Sequence, residues 1–282
     1  MKIDAHQHFW NYSIEEYAWI DDSMAILKKD HLPDDLAQIL STNGIDGSVA
    51  VQARQSVEET RWLLDLADEY EIIKGVVGWV DLRSEALDEQ LDKFAKHPKL
   101  VGVRHVVQDE PDDNFLLRPD FMRGIEKMLT YDLAYDILIF PKQLPAAIEF
   151  VKAFPEHRFV LDHIAKPFIK DGILSPWNEQ MQQLASFSNV FCKVSGMVTE
   201  ADWRQWRISD FEPYLDVVFE AFGVNRLMFG SDWPVCTVAA AYNKVVQIVD
   251  SYMKKRRFSK AEQTAFGGGN AAAFYHLKQT SH

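Results

Sequence analysis

Two histidines near the start of the chain and an aspartate near its end are residue types that could do chemistry together. His6 and His8 follow the first apolar run, in the segment DAHQH, and Asp232 ends a later apolar run, RLMFGSD. A spacing of two residues along a β-strand places both imidazoles on the same face. Two imidazoles and one carboxylate can bind a divalent metal such as zinc, and they can equally hold a carboxylate base among imidazoles.

The pattern of the rest of the chain predicts how these groups meet. Short apolar runs alternate with longer amphipathic stretches that have the spacing and the end signals of helices. The runs are continuous rather than alternating, which is typical of parallel strands covered on both faces. The predicted strands cover residues 2–5, 46–52, 72–80, 100–106, 133–139, 158–164, 190–196 and 226–232.

Eight strand–helix units in 282 residues predict an α/β fold, a (β/α)8 TIM barrel that forms a single domain over residues 1–282. A doubly wound open sheet is the alternative, but no glycine-rich phosphate loop follows the first strand, where the chain reads HQHFW. In a barrel, the residues that do chemistry lie at the C-terminal ends of the strands. Strand 8 closes beside strand 1, so Asp232 is predicted to lie next to His6 and His8.

Other polar side chains stand at the predicted C-terminal strand ends. His163 follows strand 6 in VLDHIAKP, and we predict it to be catalytic together with Asp232, His6 and His8. Two arginines at such ends in an acidic protein suggest contacts to an anionic or oxygen-rich ligand. The predicted substrate-binding residues are Gln52, Arg54, Arg104 and Lys166, and the predicted ligands, if a metal is bound, are His6, His8 and Asp232.

Several titratable residues at this edge have no assigned role. His105 follows Arg104 directly, so on a strand it points away from that arginine's face. Asp136 on strand 5 is unassigned, and Lys193 on strand 7 is interpreted as structural. Further histidines fall on predicted loops, helix ends or the tail and are expected at the surface: His31, His97, His157, His276 and His282.

Composition limits the kinds of binding partner and the cellular compartment that we expect for this protein. The formal net charge of -12 argues against nucleic acid or an anionic membrane as a partner. Two cysteines, Cys192 and Cys236, without metal-type spacing suggest a reduced cytosolic protein. Neither a secretory signal nor an apolar stretch of about 20 residues is visible. We therefore expect a cytoplasmic protein, with a homo-oligomer among the states that the sequence allows.

The motifs at the strand ends resemble those of a known family. DAHQHFW, VGVRH, LDHIAKP, CKVSG and MFGSDWP occur in this order and are similar to motifs of the amidohydrolase superfamily, in the amidohydrolase-related group that contains L-fuconolactonases and L-rhamnono-lactonases. The resemblance runs from His6 to GGGNAAAFY near the end of the chain. It implies a distorted barrel of the metal-dependent-hydrolase type, in which Asp232 takes a proton from the attacking water.

The sequence departs from the two-metal members of that superfamily. Those members place a bridging Lys or Glu on strand 4 and a His on strand 5, whereas strand 4 here carries Arg104 and His105 and strand 5 carries Asp136. We therefore expect at most one divalent metal, zinc or manganese. A mechanism that needs no metal stays open.

Together with these residues, the resemblance implies a hydrolase of carbohydrate metabolism that opens an aldono- or 6-deoxy-aldonolactone to its acid. The predicted partner is thus a small sugar lactone. One alternative is a metal-dependent decarboxylase of an aromatic or unsaturated acid, which would share the strand 1 histidines and the strand 8 aspartate. A second alternative is a sugar-acid-binding barrel without catalysis.

Overall fold

The predicted barrel is confirmed. In a computed structural model that describes residues 1–278, eight strands form one parallel sheet in the order β1 to β8. Each strand pairs with the next one along the chain. The strands are β1 (Ile3–Gln7), β2 (Gly47–Val51), β3 (Ile73–Gly78), β4 (Leu100–Val106), β5 (Ala134–Leu138), β6 (Phe159–Leu161), β7 (Val190–Val194) and β8 (Leu227–Phe229).

The helices follow the strands and cover the outside of the sheet. The side chain of Ser56 caps α2 by accepting the backbone N–H groups of Glu58 and Glu59, and Gly44 ends α1 in the left-handed region at φ 64°. The helices are α1 (Pro33–Asn43), α2 (Val57–Glu69), α3 (Leu87–Phe94), α4 (Pro119–Met128), α5 (Leu144–Ala153), α6 (Trp177–Ala185), α7 (Ile208–Phe222), α8 (Tyr242–Lys255), α9 (Lys260–Thr264) and α10 (Asn270–Phe274).

The C-terminal segment fills the inside of the barrel at the end opposite the predicted site. Phe274, Tyr275 and Leu277, in and just after α10, pack in one buried cluster with Ile3 and other interior side chains of the strands. A separate and larger apolar cluster lies between the strands and the surrounding helices. The interior of the barrel is thus a packed core, and a cavity lies at the C-terminal ends of its strands.

A bulge in β1 turns His6 into the barrel. Ile3 and Ala5 belong to the interior cluster, so strict alternation would put the next inward side chain at position 7. The pairing of β1 with β2 shifts register between Asp4 and Gln7, which is the signature of an inserted residue. His6 consequently follows Ala5 into the interior, where it contacts interior polar groups.

The barrel closes through the residues that follow β8. The backbone N–H of Asp232 donates to the carbonyl of His6 at 2.8 Å, and the N–H of His8 donates to the carbonyl of Trp233 at 2.7 Å. Gln7 and Trp233 form a parallel bridge. The expectation that strand 8 returns beside strand 1 is therefore confirmed, and the closing contacts involve the same residues that were predicted to do chemistry.

The prediction that five histidines lie at the surface is wrong for two of them. His31 and His157 are only 5% and 2% exposed. His31 pairs with Trp10 through reciprocal backbone hydrogen bonds and packs its ring against Trp10 and Trp233, so a loop that looked polar in sequence folds onto the barrel. His97 and His276 are partly exposed, and His282 lies outside the described residues.

Across residues 1–278, no helix combines the length and the apolar character that a membrane span requires.

We predict that Gly230→Ala destabilises the barrel by about 1–3 kcal/mol, the usual cost of overpacking a filled core. A Cβ at Gly230 would lie 2.7 Å from the Cβ of His6 and 3.0 Å from that of Ser195, so the end of β8 would have to move away from β1. Urea unfolding followed by circular dichroism measures the change. Gly267→Ala is the control, because its methyl group would meet nothing within 4 Å; equal stabilities for the two variants would contradict the prediction.

Candidate active site

The four residues predicted to be catalytic converge at the C-terminal end of the barrel. The Nε2 atoms of His6 and His8 are 3.2 Å apart. Oδ1 of Asp232 lies 3.3 Å from Nε2 of His8 and 3.9 Å from Nε2 of His6. His163 brings its Nε2 to 3.8 Å from the same oxygen. All four side chains are buried, yet three of them, His8, His163 and Asp232, line a cavity.

A hydrogen bond to the backbone determines the tautomer of His8, and with it whether the nitrogen that faces Asp232 carries a proton. Nδ1 of His8 is 2.7 Å from the carbonyl oxygen of Val51, and a carbonyl can only accept, so Nδ1 carries the proton in the neutral ring. Nε2 is then an unprotonated nitrogen that faces the carboxylate of Asp232 at 3.3 Å. Two electron-pair donors meet there without a proton between them, which is an arrangement suited to a bound cation or water.

Asp232 is held as a carboxylate. Its backbone lies in the left-handed region at φ 59°, which is uncommon for a residue with a side chain. Burial opposes ionisation, but the surrounding imidazoles of His163, His8 and His6 outweigh it and hold the pKa of Asp232 well below its usual range. Asp232 is therefore negatively charged at neutral pH and available to accept a proton.

A strained turn after β6 positions His163. His163, Ile164, Ala165 and Lys166 all have positive φ, between 48° and 58°, which costs energy for residues with side chains and most of all for a β-branched one. The turn is stabilised by two hydrogen bonds, from the Lys166 N–H to the His163 carbonyl and from the Trp177 indole to the Ile164 carbonyl, each 2.8 Å. The strain thus directs two predicted site residues into the cavity.

His163 is a neutral hydrogen-bonding group at pH 7. Burial lowers the pKa of its imidazole to about 4, although the charge of Asp232 opposes this shift. Nδ1 of His163 is 2.8 Å from the hydroxyl of Ser195, which can donate to it. Nε2 faces Asp232, which only accepts, and this favours the tautomer with the proton on Nε2. His163 can therefore donate a hydrogen bond beside Asp232.

Two cations and two carboxylates lie buried beneath the histidines. Nη1 of Arg104 is 3.1 Å from Asp162. Nζ of Lys193 is 2.5 Å from Asp136, 3.1 Å from Asp162 and 3.3 Å from Nδ1 of His6. Burial alone would raise the pKa of Asp162, but Lys193 and His6 hold it well below its usual range. The sequence leaves the roles of Lys193 and Asp136 open. In the structure, Lys193 contacts Nδ1 of His6 and is itself paired with Asp136.

The predicted substrate-binding residues occupy two different levels. Arg54, Lys166 and Arg104 line the cavity. Arg104 also binds Gln52: its Nε donates to the side-chain oxygen of Gln52 at 3.0 Å, and its Nη2 donates to the Gln52 carbonyl. Gln52 is fully buried and orients Arg104 from below. A contact between Gln52 and substrate stays a prediction, as do the roles of the other three.

The cavity above this base has a volume of about 660 Å³, which falls in the range of small-molecule sites. Nη1 of Arg54 pairs with Glu16 at 2.5 Å, and Nζ of Lys166 lies 5.4 Å from the centre of the Phe140 ring. Several lining residues were not identified from the sequence: Glu16, Trp19, Glu110, Glu200, Trp203 and the apolar Val106, Leu138, Val235 and Val238. Many of these residues could have been identified from their position in the sequence, because they lie at or just after the predicted C-terminal ends of strands.

His105 lies on the outer side of β4, as alternation predicts. Its Nε2 is 2.7 Å from Glu110, and its ring stacks on Phe115 with 4.8 Å between the ring centres. These contacts hold the loop after β4 against the barrel. His105 is therefore a support for that loop and does not face the cavity.

The residues present fit one divalent metal. Ligands at the usual zinc distance of about 2.0–2.1 Å in tetrahedral geometry lie roughly 3.3 Å from one another, and the donor atoms of His6, His8 and Asp232 are separated by 3.2, 3.3 and 3.9 Å. A second group, His6 with Asp162 and His163, also has converging donor atoms. Asp162 already pairs with Arg104 and Lys193, so the first group fits better.

The chain is similar to known proteins over nearly its whole length. A profile of the family described as amidohydrolase matches residues 3–277. The chain is 43% identical to an L-fucono-1,5-lactonase of Burkholderia multivorans and 37% identical to one of Burkholderia ambifaria, and each alignment covers 99% of this chain and 97% of the relative. It is also 43% identical to an amidohydrolase from Burkholderia multivorans whose crystal structure contains bound zinc, with a TM-score of 0.95 and coverage of 99% of this chain and 100% of that one.

We predict that Lys193→Met destabilises the protein by about 3–5 kcal/mol, because it leaves Asp136 buried beside Tyr275 without its cation. The double variant Lys193→Met/Asp136→Asn should be more stable than Lys193→Met alone, since it removes the unpaired charge. Urea unfolding of both measures the difference.

The matched control is Lys255→Met, which removes an exposed ion pair with Glu212. It should cost no more than about 1 kcal/mol. A double variant less stable than Lys193→Met would show that Asp136 has a role besides charge pairing.

Proposed function

The chain belongs to the amidohydrolase family and is a lactone hydrolase, and from this premise we propose that it hydrolyses L-fucono-1,5-lactone with Asp232 as the general base. The observation that carries the proposal is the convergence of Asp232 and Nε2 of His8 at 3.3 Å at the cavity. The names of the relatives at 43% and 37% identity support the choice of lactone.

Asp232 accepts the proton of the attacking water in this proposal. Its ionised state makes it ready to do so, but its depressed pKa makes it a weak base, so the water has to be made more acidic by its surroundings. A divalent ion bound by His6, His8 and Asp232 would supply that acidity and would polarise the lactone carbonyl. His8 contributes a fixed lone pair, because Val51 holds its proton on Nδ1.

Donors beside Asp232 stabilise the negative charge that develops on the carbonyl oxygen. Nε2–H of His163 and Nη1 of Arg104 are the candidates, because both residues line the cavity and Arg104 is fixed by Asp162 and Gln52. Donors fixed in advance cost no reorganisation when the charge appears. Arg54 and Lys166, higher in the cavity, would bind the hydroxyl groups of the sugar.

The two alternatives have weaker support. Decarboxylases occur only among distant structural neighbours, where the likeness shows the fold alone. A barrel that only binds a sugar acid would not require an ionised carboxylate 3.3 Å from an unprotonated imidazole nitrogen. Hydrolysis uses both groups.

We further propose that the chain is one domain over residues 1–282 and works in the cytoplasm in carbohydrate metabolism, with neither nucleic acid nor a membrane as a partner. The buried, unpaired thiols of Cys192 and Cys236 are consistent with a reducing compartment. A homo-oligomer is part of the same proposal, and sedimentation measures it directly.

We expect Asp232→Asn to lower kcat about 10²–10⁴-fold on L-fucono-1,5-lactone, the range typical of a lost general base. Acid release in a weakly buffered indicator solution measures the rate, with and without added zinc. Asp109→Asn is the control, because Asp109 lines the same cavity but is exposed; it should keep most of the activity. Wild-type activity in Asp232→Asn would disprove the role of Asp232 as base.

The pH dependence should reflect the buried His163. A pKa lowered to about 4 means that this imidazole stays neutral as the pH falls through its ordinary value of about 6.5. We expect kcat/KM to stay level from pH 7 to about 5 and to fall near pH 4, where protonated His163 pairs with Asp232 and neutralises the base. Circular dichroism at each pH controls for unfolding. A decline centred near pH 6.5 would contradict the assignment.

A further inference from the structure

A buried carboxyl group on α2 has no part in the proposed mechanism. Glu59 is 1% exposed and lies in the first turn of the helix, three residues after the capping Ser56. A glutamate at this position commonly reaches back to the N–H of the capping residue. Glu59 reaches farther: its Oε2 accepts the backbone N–H groups of Ala53 and Arg54, each at 3.0 Å. Its Oε1 accepts the hydroxyl of Tyr17 at 3.3 Å, so the side chain joins two segments outside its own helix.

Both of these segments line the cavity. The connection from β1 to α1 contributes Glu16, Ala18, Trp19 and Met24, and the connection from β2 to α2 contributes Ala53, Arg54 and Gln55. The first connection is long and mostly irregular, and such a segment takes many arrangements unless contacts along its length fix it. Its ends meet through the backbone pairing of Trp10 with His31. Its middle is fixed by Tyr17, which packs on Trp10 with 5.7 Å between ring centres and donates to Glu59.

Arg54 is the side chain whose place depends on this junction. Its Nη1 pairs with Glu16 at 2.5 Å, and its guanidinium carbon lies 5.7 Å from the centre of the Tyr17 ring. Both partners belong to the β1–α1 connection, so the direction of the arginine depends on that connection as well as on its own backbone. Of the residues that the structure describes, none accepts a hydrogen bond from the buried Nε–H of Arg54. A buried donor without a partner is costly, so this N–H is suited to bind an oxygen of a ligand.

We propose that Glu59 is a positioning residue that fixes Arg54 for binding a hydroxyl oxygen of the sugar lactone. The inference rests on the proposed function, in which Arg54 binds such a hydroxyl group. Glu59 acts on the arginine from two sides, because it accepts the backbone N–H of Arg54 and also holds Tyr17, over whose ring the guanidinium lies. A donor that is fixed before binding loses less conformational freedom when the ligand arrives. Glu59 therefore contributes to affinity for the lactone and not to the chemical step.

This role requires hydrogen-bond acceptors and not a negative charge. Two backbone N–H groups meet one oxygen of Glu59, and the Tyr17 hydroxyl meets the other. A glutamine can make the same contacts, because its amide oxygen accepts both N–H groups and its NH₂ group donates to the phenol oxygen of Tyr17. Burial raises the pKa of Glu59 to about 7, which is consistent with a carboxyl group that does not depend on ionisation. A methionine keeps the length of the side chain and removes these acceptors.

The decisive measurement is a double-mutant cycle between Glu59 and Arg54, read from the kinetics of L-fucono-1,5-lactone hydrolysis. We expect Glu59→Met to raise KM about 10–100-fold, the range for a lost hydrogen bond to a charged group. Its kcat should change little, because the lost contact is the same in the ground state and the transition state. Glu59→Met should add nothing to Arg54→Met, since a residue that acts through the arginine has nothing left to position. Most of the lost affinity should return in Glu59→Gln.

Matched variants separate this role from a structural one. Glu58→Met removes an exposed carboxylate from the same helical turn and should keep the KM of the wild type. Tyr17→Phe removes only the hydroxyl that Glu59 accepts and serves if Glu59→Met does not fold; it should raise KM about two- to tenfold and likewise add nothing to Arg54→Met. An unchanged KM in Glu59→Met or in Arg54→Met, or an equal effect of Glu59→Met with and without Arg54, would overturn the assignment. A wild-type protein that releases no acid would instead disprove the proposed function itself.

Discussion

The hydrogen bond from the Asp232 backbone N–H to the His6 carbonyl, 2.8 Å long, joins the two ends of the sheet and builds the site in the same contact. The strand ladder runs from β1 to β8, and the last pairing is made by the residues just after β8. These residues carry the carboxylate, and the segment they meet carries the imidazoles. Anything that shifts the closure moves Asp232 relative to His6 and His8, so fold and chemistry share one constraint.

The second constraint is the balance of buried charge beneath the histidines. Arg104 and Lys193 face Asp136 and Asp162 in the barrel interior, where all four side chains are buried. An unpaired ion there would be very costly, whereas a matched set is tolerated. The set gives His6 a fixed environment on its Nδ1 side, and its Asp162 already pairs with Arg104 and Lys193.

The cavity above this base is built from two kinds of segment. Near the histidines the chain is strained, with four consecutive residues at positive φ from His163 to Lys166, and such strain persists only where packing and hydrogen bonds over-determine it. Farther out, the wall is made by loops whose carboxylates differ in how they are paired. The result is a reacting centre held by backbone hydrogen bonds under a rim of loops, which are the parts that vary in barrels of this class.

The sequence by itself determined the eight strands, their parallel order and the end of the barrel at which His6, His8, His163 and Asp232 converge. A buried parallel sheet requires continuous apolar runs, and barrel closure dictates which strand ends are neighbours. Only the tertiary structure decided the remainder. Alternation along β1 does not reveal the bulge that turns His6 inward, and local pattern does not show that Lys193 supports His6 or that Gln52 lies under Arg104. Periodicity reports burial along one segment, whereas pairing, tautomer and proton affinity depend on which segments meet.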